Sequence, residues 1–152
     1  MKVKFKRLHK DAVIPSKKIK DDFCFDLTAV TEEEIAPNVW RYGFGFALQV
    51  DDDIHSITTS NLFSFGFSVR PRSSVWKTGM ILSNCIGTVD EGYTGEISAV
   101  FYHVMPNMER YHVGDRVAQL HFDRTDKYLD FIEVEELDET ERGRNGNGST
   151  GK

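Results

Sequence analysis

The sequence predicts an all-β protein, a β-sandwich or jelly roll, and three observations carry that reading. Aromatic and β-branched residues dominate the apolar set, with eleven Phe in 152 residues, and these side chains suit a pleated, half-buried surface. Apolar positions recur at period two or in short runs, while long stretches at helical spacing are hard to find. Turn signals punctuate the chain at Ala36-Pro37-Asn38, Asp51-Asp52-Asp53, Asp90-Glu91-Gly92, Met105-Pro106-Asn107 and His112-Val113-Gly114-Asp115. Many short strands with regular turns are the mark of these architectures.

Val3, Phe5 and Arg7 alternate with Lys4, Lys6 and Leu8, a half-buried strand. Leu62–Val69 alternates large apolar residues with Ser and Gly, a strand with one thin face. A short helix is expected at Val75–Thr78. Ile97–Val104 is apolar almost throughout and reads as a strand covered on both faces, and Val117–Phe122 and Leu129–Val134 read as two more. From Asp138 onward no apolar residue occurs, so this stretch cannot join a core. The expected organisation is one domain over residues 1–137 and a mobile, Gly-rich C-terminal arm over 138–152. No internal repeat or interdomain linker is visible.

At this length one domain buries about 70% of its unfolded surface without staples. The formal net charge of -5 argues against a nucleic-acid partner, since phosphate binding needs clustered Lys and Arg. No stretch nears the ~20 apolar residues of a membrane-spanning helix, and the basic start lacks the apolar run of a secretory signal. Two cysteines, Cys24 and Cys85, make no disulfide framework. The expected compartment is therefore the cytoplasm, the host's if the source is viral.

Several chemistries are excluded. The five histidines form no metal-binding pair and there is no Cys-x-x-Cys, which removes a zinc deaminase of the cytidine type. Neither a P-loop nor a Gly-x-Ser-x-Gly elbow is present.

Five segments remain, each with a bland reading beside a functional one. Asp26, between Phe25 and Leu27, is either a carboxylate satisfied by backbone donors or a functional acid. Arg70-Pro71-Arg72-Ser73-Ser74 is a solvated basic turn or a phosphate holder, because guanidinium, hydroxyls and turn amides suit a phosphate chain. Asn84 to Glu96 reads as a hairpin in which Asp90 is a turn former, or as a loop carrying an amide, a carboxylate and the Tyr93 ring. Gly114-Asp115-Arg116-Val117-Ala118-Gln119-Leu120 is a strand with Ala118, Leu120 and Phe122 on one face and Gln119 on the other. The tail from Arg142 to Gly151 is an idle end, or an arm whose glycines allow close approach to a polyanion.

In order and together, these segments resemble the five motifs of the trimeric dUTPase family. PRSSVWKTGMILSNCIGTVDEGYTGE, GDRVAQL and the terminal RG…GSTG carry the resemblance, from near Phe25 to Gly151. It implies a jelly-roll homotrimer that splits dUTP into dUMP and pyrophosphate with Mg2+. By that resemblance Asp90 orients and deprotonates the attacking water, and Asp26 reaches the metal through water only. Arg72, Ser73, Ser74 and Gln119 hold the phosphates. Asn84, Gly87 and Val89 belong to the uracil-reading segment, and Tyr93 packs under the deoxyribose. Arg142, Gly148, Ser149 and Thr150 close over the β and γ groups. The family pocket takes the Asn84–Tyr93 loop from one subunit, the Arg-Ser and Gln elements from a second and the tail from a third.

The chain departs from that pattern in three places. Asn147 stands where the family tail carries a Phe that stacks on uracil, a contact worth about 1–3 kcal/mol. Bulky Phe23 and Cys24 precede the first aromatic, where a small residue and Gly are usual, and the stretch from Asp51 to Phe65 is longer than usual. The changes at Cys24 and Asn147 motivate a second reading, a dUTP-binding regulatory homologue with little activity. A dCTP deaminase sharing the jelly roll, and a plain structural jelly roll, are two more.

Overall fold

The computed structural model describes residues 2–51 and 63–140. Among them lie ten strands: β1 (Val3–Arg7), β2 (Phe25–Thr28), β3 (Thr31–Ala36), β4 (Val39–Gly43), β5 (Phe46–Val50), β6 (Phe63–Pro71), β7 (Met80–Leu82), β8 (Gly87–Val89), β9 (Ser98–His103) and β10 (Arg116–Asp126). The expected helix at Val75–Thr78 forms as a single 3-10 segment closed by Gly79 in the left-handed conformation, φ 62°, which suits a residue without a Cβ.

The strands pair antiparallel throughout, β2-β10-β6-β8 in one sheet, β3-β4-β9-β7 in a second and β1-β5 in a short third. The period-two pattern of the sequence explains the layering. Phe65, Phe67 and Val69 of β6, with Ala118 and Leu120 of β10, face the core, and Tyr42, Phe44, Phe46, Met80 and Phe101 meet them there. Burying each large apolar side chain contributes about 1.5–3 kcal/mol, so this seam sets the rigid frame. β1 joins by pairing with β5 and laying Phe5 against Phe46, ring centroids 4.9 Å apart.

Two strand readings change. β9 buries Ala99, Phe101 and His103 and leaves Tyr102 exposed, so it is covered on one face rather than both. The strand expected over Leu129–Val134 does not form: β10 ends at Asp126, and Phe131 is 97% exposed. Period-two alternation makes a strand only where a neighbouring strand offers its edge, and this stretch pairs with none in its own chain. No helix among the described residues is long and apolar enough to cross a membrane.

Candidate active site

The Asn84–Glu96 segment is not a hairpin. β7 lies in one sheet and β8 in the other, so residues 83–86 turn the corner between them, with Cys85 at φ 58° and the Ile86 amide donating to the Asn84 carbonyl at 2.5 Å. β8 pairs with β6, the chain turns at Asp90–Tyr93 (Tyr93 N to Asp90 O, 3.0 Å), and then it crosses back to β9. This double crossing opens a crevice of about 160 Å3 lined by Asn84, Gly87, Val89, Asp90, Tyr93 and Glu96. A Cβ on Gly87 would stand 3.2 Å from Asn84 Nδ2, so a glycine there gives the Asn84 amide its room. The Tyr93 hydroxyl donates to the Glu96 carbonyl at 3.1 Å, folding the half-exposed ring over Gly95. Asp90 stays exposed at the crevice.

The second group gathers where β6 ends. Pro71 closes that strand, and Arg72 turns back to donate from Nε to Asp26 Oδ1 at 3.0 Å. Arg116, at the start of β10, donates to the other Asp26 oxygen at 2.7 Å. One carboxylate thus fixes two guanidiniums, and charge-assisted bonds of this kind are the strong ones. Arg72 also reaches Ser74 Oγ at 3.4 Å, while Ser73 is exposed on the turn. A crevice of about 460 Å3 is lined by Arg72, Ser74, Lys77, Arg110, Tyr111 and Arg116 among others. Gln119 faces away from the core as expected, pairs in register with Asp26 and Arg70, and donates from Nε2 to the Pro71 carbonyl at 3.0 Å.

A clasp holds the wall of this crevice. Glu32 on β3 accepts from Arg110 at 3.1 Å and from the Val113 amide at 2.8 Å, and the Arg110 guanidinium lies 3.5 Å over the Trp40 ring. Burial alone would raise the Glu32 carboxyl; the Arg110 and Val113 hydrogen bonds, the Arg110 charge and His112 outweigh it and hold the group below its usual value.

The chain therefore brings Asn84, Gly87, Val89, Asp90 and Tyr93 together, and separately Asp26, Arg72 and Ser74, with Gln119 close by. It does not place Asp90 and Arg72 in one crevice; the two sets of lining residues share no member. Arg142, Gly148, Ser149 and Thr150, together with Asn147 and Leu62, lie outside the described residues, as does the longer stretch from Asp52 to Leu62. Arg116, Gly95, Glu96 and Tyr111 were not singled out from the sequence. Gly95 alone carried a local signal, a glycine two residues after the ring it seats. Among the described residues no group of three or more His, Cys, Asp or Glu is placed to hold a metal.

The sequence model of the dUTPase family matches residues 10–151. The chain belongs to the dUTPase family. It is 36% identical to the deoxyuridine 5'-triphosphate nucleotidohydrolase of Helicobacter pylori strain J99 over 99% of this chain and 97% of that protein. To the enzyme of the same name from Nautilia profundicola it is 33% identical, over the full length of both. Its fold is similar to that of the dUTPase of Staphylococcus bacteriophage 80alpha solved with dUpNHpp, at a TM-score of 0.77, 20% identity and 99% coverage of each chain. A dUTPase from phage phi11 of S. aureus, in which the coordination of a structural Mg(II) ion is described, aligns at a TM-score of 0.68 and 16% identity, over 91% of this chain and all of that one. These structures place the family's strands in the same jelly-roll arrangement.

Proposed function

We propose that this chain hydrolyses dUTP to dUMP and pyrophosphate by attack of water on the α-phosphate, in sites assembled between the subunits of a homotrimer. The observation that carries this reading is the separation of two complementary half-sites on one chain. One offers a carboxylate, an amide and a ring, and the other a cluster of cations and hydroxyls. Each lacks what the other holds.

Asp90, exposed at its crevice, orients the water and takes its proton. A carboxylate is a modest base, so positioning and charge neutralisation supply most of the acceleration. Arg72, Ser73, Ser74 and Gln119 of a neighbouring subunit hold the phosphates; Arg142, Gly148, Ser149 and Thr150 of the arm close over them. Asn84 with the backbone at Gly87 and Val89 reads uracil, and a base that leaves a buried group unpaired loses about 1–3 kcal/mol. Tyr93 fills the space a 2′-hydroxyl would need.

The donor set fits magnesium carried by substrate. Both Asp26 oxygens are already engaged by arginines and no carboxylate cluster exists among the described residues, which suits a hard cation that keeps its waters and takes phosphate oxygens. Magnesium would neutralise the triphosphate, with Asp26 reaching it only through water. Trimer formation is further supported by the exposed apolar run at Leu129, Phe131 and Ile132, since contiguous exposed apolar surface marks an interface. The free thiols of Cys24 and Cys85 are compatible with a cytoplasmic enzyme.

Pyrophosphate release from dUTP, dCTP, dTTP and UTP, with and without magnesium, tests the proposal, with Asp90→Asn as the blank. Magnesium-dependent release from dUTP alone, lost in the variant, is expected. Comparable rates on all four nucleotides, or a fully active Asp90→Asn, would overturn it.

A further inference from the structure

We infer that the Tyr111 hydroxyl is a positioning group for the phosphate-holding turn, acting through the hydroxyl of Ser74. The inference rests on the reading that Ser74 holds a phosphate.

Everything about Tyr111 except its hydroxyl is fixed in the core. Its ring stands edge-on to Tyr42 and Phe101, with centroids 6.4 and 5.9 Å away. Its carbonyl accepts from the Tyr42 hydroxyl and from Arg110 Nη1, both at 2.8 Å. The residue is only 7% exposed, yet it contributes to the floor of the Arg72 crevice with Ser74 and Thr78. Its oxygen is shielded from solvent and has no hydrogen-bond partner among the described residues. Burial raises the phenol above its usual value, against the opposing influence of the Ser74 hydroxyl, the Arg72 charge and the Thr78 hydroxyl, which places the oxygen beside the turn that carries Arg72.

A buried hydroxyl with no partner is destabilising, and a Phe of the same shape would avoid that cost. Its neighbours indicate what the group is for. Thr78 already donates its proton to the Val75 carbonyl at 2.7 Å. Ser74 Oγ receives only a long 3.4 Å contact from Arg72. When a phosphate oxygen draws the Ser74 proton into a hydrogen bond, the Ser74 oxygen becomes the better acceptor for the Tyr111 hydroxyl. The resulting relay, Tyr111 O–H to Ser74 Oγ and Ser74 O–H to phosphate, strengthens each bond by polarising the next. No proton changes owner. The Tyr111 oxygen itself touches neither solvent nor substrate, so its influence passes wholly through Ser74.

A double-mutant cycle of Tyr111→Phe and Ser74→Ala tests this, reading kcat and KM for dUTP and the thermal midpoint of each variant. Tyr111→Phe should lose roughly three- to tenfold in kcat/KM, the worth of one hydrogen bond, with a midpoint equal to or above that of the parent. Added to Ser74→Ala it should cost nothing more. A wild-type kcat/KM in Tyr111→Phe while Ser74→Ala is impaired would overturn the inference alone, and so would losses that multiply in the double variant. Full activity in Ser74→Ala would remove Ser74 from the phosphate site and the inference with it.

Discussion

Substituting Gly95 by alanine separates the sugar-reading role of Tyr93 from any role in folding. The added methyl would stand 2.5 Å from the Tyr93 hydroxyl oxygen and 2.6 Å from Cζ, against normal contacts of about 3.5–4.0 Å. The ring must withdraw by about 1 Å. It can do so cheaply, because Tyr93 is 47% exposed and its far end is free to swing outward. Gly95 is not among the glycines with positive φ, so alanine brings no backbone strain there. The main loss to stability is the hydroxyl bond to the Glu96 carbonyl, 3.1 Å in the parent, worth about 0.5–1.5 kcal/mol. A chain of this size would then melt only about 2–5 °C lower. Function should suffer far more, since a 1 Å displacement of a positioning group costs up to about 100-fold. We expect kcat/KM for dUTP to fall roughly ten- to 100-fold and the preference for dUTP over UTP to narrow. Steady-state pyrophosphate release on both nucleotides, beside a thermal melt, measures this. Unchanged discrimination against UTP would refute the reasoning, and a midpoint more than about 10 °C lower would make Gly95 a folding residue instead.

Asp26→Asn leaves two guanidiniums without their carboxylate. Each charge-assisted bond is worth about 1.5–3 kcal/mol when shielded, but the Arg116 side chain is 41% exposed, so the total should be about 2–4 kcal/mol in urea unfolding. A loss in kcat/KM should accompany it, and an unchanged urea midpoint with full activity would count against the Asp26 anchor. Glu32 predicts a pH effect. Its folded carboxyl titrates below the ordinary 4.5, so its stabilisation is complete above that value and is lost as pH falls through the depressed one. Glu32→Gln should be less stable than the parent near neutral pH and should flatten the acid limb of stability against pH; identical acid limbs would contradict this. Asn147→Phe should restore a stacking contact worth about 1–3 kcal/mol, seen as a lower KM or faster turnover, and unchanged constants would remove stacking from this enzyme.

What the sequence made legible is what local patterns control. Period-two alternation placed β1, β6 and β10, and proline, asparagine and glycine placed the turns at Pro37-Asn38 and Gly114. β3 was invisible because its Thr-Glu-Glu-Glu run looks like a solvated surface; it pairs with β4 and uses Glu32 to hold Arg110, 78 residues away. Asp26 showed a similar gap. Its neighbours in sequence revealed an acid among apolar residues, whereas its partners Arg72 and Arg116 are 46 and 90 residues distant. The Leu129–Val134 alternation misled for the opposite reason, since a correct strand pattern cannot say whether the paired edge belongs to the same chain. Of the site, the residue types were readable in five segments. Their division into two crevices needed the two sheets, because β7, β8 and β9 change sheet at every step.

Whether the two crevices meet only between chains can be measured by mixing two inactive variants. Asp90→Asn keeps the Arg72 half-site, and Arg72→Ala keeps the Asp90 half-site. Co-refolded in equal amounts into mixed trimers, they should regain about a quarter of parental dUTP hydrolysis, since that share of shared sites receives an intact half from each neighbour. Mixtures as inactive as the separate variants, although the trimers demonstrably mix, would show that each chain completes its own site.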